Sequence, residues 1–219
     1  MVTKMELAES RRHITLSQFT ATFVPFALLL AAALMVPELP QIIEHHRAVY
    51  TIEALVYYRI IHTIWLTMAF LIVAEVLYFW PGDSEQKRNF WLLCWTFGFL
   101  AYVVHFYYTV GVVFHGSLRE VYAKQGVMIA TSNLLVTAWW GFDLILAWFV
   151  RSRAKWIRIQ RTLAHLYIPI TFFISAVVIK RGFVRGLGIV MTVAILISIL
   201  ARLISRKHHR EAIPQGEAI

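Results

Sequence analysis

The sequence predicts an all-α, polytopic integral membrane protein: a bundle of six transmembrane helices with both termini on the cytoplasmic side. Three observations predict it. The 219 residues are 59% hydrophobic and only 15% charged, and the mean hydropathy is +0.65. A soluble domain is nearer to about half apolar and about a quarter charged. Six apolar runs are long enough to cross a bilayer core of about 30 Å as helices. Most Lys and Arg fall in the short segments between those runs, where they set topology. That placement also argues against a nucleic-acid partner for the formal charge of +9.

The runs follow in order. Residues 1–16 are polar and read as an interfacial segment. The first span covers about 19–36, with Pro25 inside it and Ala31, Ala32 and Ala33 as a small surface for close helix approach. No small-residue cleavage pattern follows, so it reads as a retained helix. The loop from Pro37 to Glu53 carries Glu44, His45 and His46. The second span, about 54–80, holds Arg59, His62 and Glu75; Arg59 and His62 are three apart and share a face. Pro81, Gly82 and Asp83 end it. The third span, about 90–115, reads FWLLCWTFGFLAYVVHFYYTVGVVFH. It places His105 inside the membrane, with Tyr102 and Tyr108 one turn away on the same face.

Gly116 to Gln125 reads as a loop. The fourth span, about 126–150, includes Asn133, Trp139, Trp140 and Asp143. A basic loop from Arg151 to Arg161 precedes the fifth span, about 162–179, which holds His165 and Pro169. A basic turn, Lys180 to Arg185, leads to the sixth span, about 186–204, and residues 205–219 form a polar tail. The whole chain reads as a single transmembrane domain. Cys94 lies alone in an apolar run, so there is neither a disulfide framework nor a thiol metal motif.

Lys4, Arg11, Arg12, Lys87, Arg88, the basic loop after residue 150 and the tail share one side. Arg47, Arg119, Lys124 and the turn at Lys180 share the other. The positive-inside rule then puts both termini in the cytoplasm, and a bacterial-type cytoplasmic membrane is the expected location. The ionisable residues form two layers. Arg59, His62, His105 and Asn133 fall in the outer half, on spans that the short connection makes antiparallel neighbours. Glu75 and Asp143 fall together near the inner surface. They are expected to face the bundle, because a carboxylate against hydrocarbon is costly, and to hydrogen-bond one another.

Several functions suit that pattern. His62 and His105, facing one another, are the ligand set of a b-type haem in a helical bundle, with Arg59 for a propionate. His62, His105 and His115 are alternatively a site for copper, iron or zinc. Arg59, His62, Tyr108 and Asn133 would also supply hydrogen bonds in a lipid or quinone pocket. These readings describe a redox or lipophile-handling membrane enzyme or subunit. Against them stands a non-catalytic accessory subunit, working beside other membrane subunits or as a homo-oligomer, in which polar groups only bond helices together. Proton or ion translocation through Glu75 and Asp143 is a further alternative. Trp65, Trp80, Trp91, Trp139, Trp148 and Trp156 are expected to form an interfacial belt. The chain carries no dinucleotide fingerprint, Walker loop, GxSxG elbow or HExxH motif, which disfavours soluble-nucleotide enzymology.

Overall fold

The computed structural model describes residues 14–38, 51–150, 152, 154–179 and 182–211, the last four as backbone only. The interfacial segment expected before residue 14, the loop histidines His45 and His46 with Glu44, and the end of the tail lie outside the described residues. Helix α1 is Leu16–Met35, extended by a 3-10 turn, Val36–Glu38. Helix α2 is Ile52–Phe79. Helix α3, Glu85–Phe106, continues as a π-helical segment, Tyr107–Val113. A short α4, Leu118–Gln125, precedes α5, Val127–Phe149. Helix α6, Lys155–Phe173, continues as a second π-helical segment, Ile174–Ile179. Helix α7 is Phe183–Glu211. Six of these are long and apolar enough to cross a membrane, and the described residues contain no strand.

The helix ends follow local chemistry. Thr15 caps α1 in a reciprocal box with Gln18, which fixes its first turn. Pro25 sits inside α1 without interrupting it. Only Ala33 of the expected alanine surface is buried. Ser84 accepts a hydrogen bond from the Lys87 backbone N–H, so α3 starts at Glu85 rather than near residue 90.

Three segments are more helical than the sequence suggested. Ser117 caps α4, and the buried Val121 anchors it, inside the segment expected to be a loop. Helix α6 begins at Lys155 rather than near residue 162, which takes Lys155, Arg158 and Arg161 out of the expected basic loop. Basic residues are good helix formers, and the buried Ile157 gives this first turn an apolar anchor. Helix α7 likewise runs on to Glu211, through the start of the expected tail.

The core sits around the α2–α3 hairpin, with Trp95 and Trp140 wholly buried at its centre. Gly98 makes this packing possible. A Cβ there would lie 3.3 Å from the Trp140 ring, so the indole rests directly on the α3 backbone. Trp91, expected in the interfacial belt, is instead a core residue at 6% exposure, because its face of α3 turns inward beside Trp95. Trp80, Trp148 and Trp156 are exposed on helix ends, as a belt requires.

Gly188 on α7 makes the tightest approach. A Cβ there would fall 2.7 Å from Val177 and 2.9 Å from Ala176 on the second π-helical segment. Gly188→Ala is expected to destabilise the fold by about 1–3 kcal/mol through overpacking. Gly186→Ala, where nothing lies within 4 Å, is expected to be nearly neutral. Thermal unfolding of both variants in lipid nanodiscs checks the contrast.

Candidate functional site: a distal cleft and a buried charge cluster

Two polar regions stand at opposite heights of the bundle. The face where α1 begins and α7 ends is the terminal face; the other is the distal face. A cleft of about 640 Å³ opens in the distal half. Its α2 wall is Tyr57, Ile60, Ile61, Ile64, Trp65 and Met68, one helical face repeating every three or four residues. Val136 and Phe172 help to form its apolar floor. Three polar side chains converge beside that floor. The Tyr102 hydroxyl donates to the Asn133 carbonyl at 3.2 Å. The Asn133 amide donates to Gln125 at 3.2 Å. His105 Nδ1–H donates to the Ile60 carbonyl at 3.0 Å. That bond fixes the His105 tautomer and ring orientation, and it ties α3 to α2.

Both π-helical segments border this cleft. Thr109 and Val110 come from the first, Ser175, Ala176 and Ile179 from the second. The first closes through Phe114 N–H to Thr109 and Gly116 N–H to Val110. Both are rich in β-branched residues, which hold regular α-helix less well. π-helical turns are uncommon and recur at functional sites.

The residues expected to share one outer pocket are divided by the α2 helix. His105 and Asn133 border the cleft; His62, Arg59, Tyr108 and His115 do not. Positions 59 and 62 lie off the face that carries 57, 60, 61, 64, 65 and 68. His62 Nδ1–H donates to its own helix at Tyr58 O, 2.8 Å away, and its ring meets Trp65 edge-on. Arg59 pairs with Glu38 and donates to the Leu34 carbonyl, 3.3 Å away, which binds α2 to the end of α1. Its guanidinium also lies over the Tyr108 ring, 5.7 Å from the centroid. His115 is exposed in a turn at φ 49°. His62 and His105 therefore do not face a common space as a haem would require. Among the described residues, no group of three or more His, Cys, Asp or Glu is assembled as a metal site, so His62, His105 and His115 form none.

In the terminal half, Glu75 and Asp143 are both fully buried, as expected of acids facing the bundle. They are not hydrogen-bonded to one another, because each has a nearer basic partner on α6. Glu75 Oε1 lies 2.9 Å from His165 Nδ1. Asp143 accepts from Arg161 Nε at 3.3 Å and from Trp95 Nε1 at 3.0 Å. The guanidinium of Arg161 lies over the Trp91 ring. The His165 ring stacks between Tyr78, at 3.8 Å, and Trp95, at 4.2 Å. His165 and Arg161 were not singled out from the sequence. Their signal is the i, i+4 spacing, which sets both on one face of α6. Beginning that span at residue 162 hid it by leaving Arg161 in a loop.

The two ion pairs predict different sensitivities. Arg161→Ala leaves a buried carboxylate without its cation and is expected to cost about 3–5 kcal/mol. Arg59→Ala, in a partly exposed pair, is expected to cost about 1 kcal/mol or less. Chemical denaturation in a mixed-micelle system compares them. Comparison of the chain with protein-family models, with curated proteins and with solved structures finds no match, so its function rests on its own geometry.

Proposed function

We propose that this membrane protein binds a lipophile with a long apolar body and one hydrogen-bonding end, the chemical class of membrane quinones and lipids, in the distal cleft. The observation that carries the reading is the cleft itself. Its volume of about 640 Å³ falls within the range of about 300–1,000 Å³ typical of small-molecule sites. Its lining is mainly apolar, and among its polar residues Tyr102, Asn133 and Gln125 are joined by hydrogen bonds, with His105 beside Tyr102. Among the described residues no Asp or Glu borders it, whereas Lys124 does. Lys124 therefore suits an anionic or hydrogen-bond-accepting ligand end better than a cationic one.

In this reading the apolar walls take the tail, and His105 and Asn133 orient the head. Such a site serves a redox or lipophile-handling enzyme or subunit. An accessory subunit would use the same polar groups to join helices and would hold no lipophile.

A binding measurement separates the two. Wild-type protein in nanodiscs is expected to bind a radiolabelled quinone analogue or a spin-labelled fatty acid saturably. His105→Leu and Asn133→Leu are each expected to weaken binding about 3- to 10-fold, the value of one lost hydrogen bond. Phe149→Ala, on an exposed helix end, is expected to leave it unchanged. Absence of saturable binding of both probes by the wild type would leave the accessory-subunit reading in place.

A further inference from the structure

We propose that Glu75 and His165 form a reversible proton-binding site in the terminal half of the bundle, with Asp143 and Arg161 as its fixed ion pair. The inference is independent of the cleft. It rests on how the acceptor atoms of the two carboxylates are used. Both oxygens of Asp143 are engaged: Oδ1 by Arg161 and Oδ2 by Trp95. Both partners are donors only, so both bonds favour the charged form of Asp143. Glu75 differs. Its Oε1 meets His165 Nδ1, but its Oε2 is buried without a hydrogen-bond partner. At the other end of the same bond, His165 Nε2 is buried and unpartnered too. Both side chains have no solvent exposure. Unsatisfied polar atoms at this depth are uncommon and call for a chemical explanation.

The pair is a short relay with one bond in the middle and a vacant acceptor at each end. A proton arriving from water at His165 Nε2 gives an imidazolium; its Nδ1 proton then passes to Glu75 Oε1. The imidazole is left neutral with its proton on Nε2, and the carboxyl is neutral. The pair has gained one proton, and no other bond is broken. Release runs the same steps in reverse. The groups that face the pair are few. Helix α2 contributes Tyr78, α5 contributes Asp143 and α6 contributes Arg161. Among the described residues, helix α3 contributes the rings of Trp91 and Trp95, and α7 contributes Arg202 through the Tyr78 carbonyl. Tyr78 marks the way out. Its ring covers His165, and its hydroxyl meets Thr162, 3.3 Å away, at the exposed edge of the bundle.

Infrared spectroscopy of the full chain in nanodiscs, labelled with 13C-glutamate, tests the proposal. Between about pH 5 and about pH 9, a high-frequency carboxyl band is expected to titrate and to carry the glutamate label. It is expected to be lost in Glu75→Gln, to change midpoint in His165→Asn and to persist in Asp143→Asn. A band that carries no label, survives Glu75→Gln, ignores His165→Asn or does not titrate would overturn the proposal. Should the variants fail to fold, labelled wild type alone decides. Exposed glutamates give the ordinary carboxyl band, and the absence of a second, titrating high-frequency band would refute the buried site.

Discussion

Inside hydrocarbon, a polar group without a protein partner costs several kcal/mol, and that constraint sets the register of this bundle. Asp143 on α5 can be satisfied only if Trp95 of α3 and Arg161 of α6 arrive at its own depth. Glu75 on α2 makes the same demand of His165. Two acids thus fix four helices against sliding, where nonspecific apolar packing would tolerate several alignments. The aromatic rings around them complete the arrangement. Trp91 and Trp95 both flank His165, and Trp95 also packs on Trp140, so the charge cluster and the core are one structure.

The distal half meets the constraint by another route. Its polar side chains mainly bond to backbone: His105 to Ile60, His62 to Tyr58, Tyr102 to Asn133. Threonines do the same within their own helices, as Thr63, Thr67, Thr109 and Thr137 show. A backbone carbonyl already holding a helical hydrogen bond has a second lone pair to offer, so these contacts need no partner helix of matched sequence. Relieved of that requirement, the helices can stand apart and leave a cleft. The charged half offers no such latitude.

Much of the architecture was legible in the sequence because the bilayer dictates it. Six runs of sufficient length and the punctuation at Pro81, Gly82 and Asp83 placed the spans to within a few residues at most ends. Inward-facing Glu75 and Asp143 followed from desolvation alone. Their partners did not, since hydropathy began the fifth span only after Arg161, whose long side chain reaches into the bundle. The cleft was legible only in part. Depth arithmetic brought His105 and Asn133 to one height, but the rotation of α2 is set by packing, and that rotation turns Arg59 and His62 toward α1 and Trp65. The π-helical segments left no sequence sign beyond a density of β-branched residues.

Packed aromatic rings lie between the cleft and the cluster. Leu71, Ala74, Trp95, Trp140, Ala164 and Ile168 have no exposed surface. Tyr102 stacks on Trp140, Trp140 packs on Trp95 and Trp95 on His165, a file of rings from one site to the other. Water reaching one half finds no hydrogen-bonded passage to the other through these residues, and the indole N–H groups in between can donate but not accept. The cleft and the buried cluster are thus two sites joined by packed rings. Communication along this file is mechanical, carried by the displacement of rings that touch on both sides.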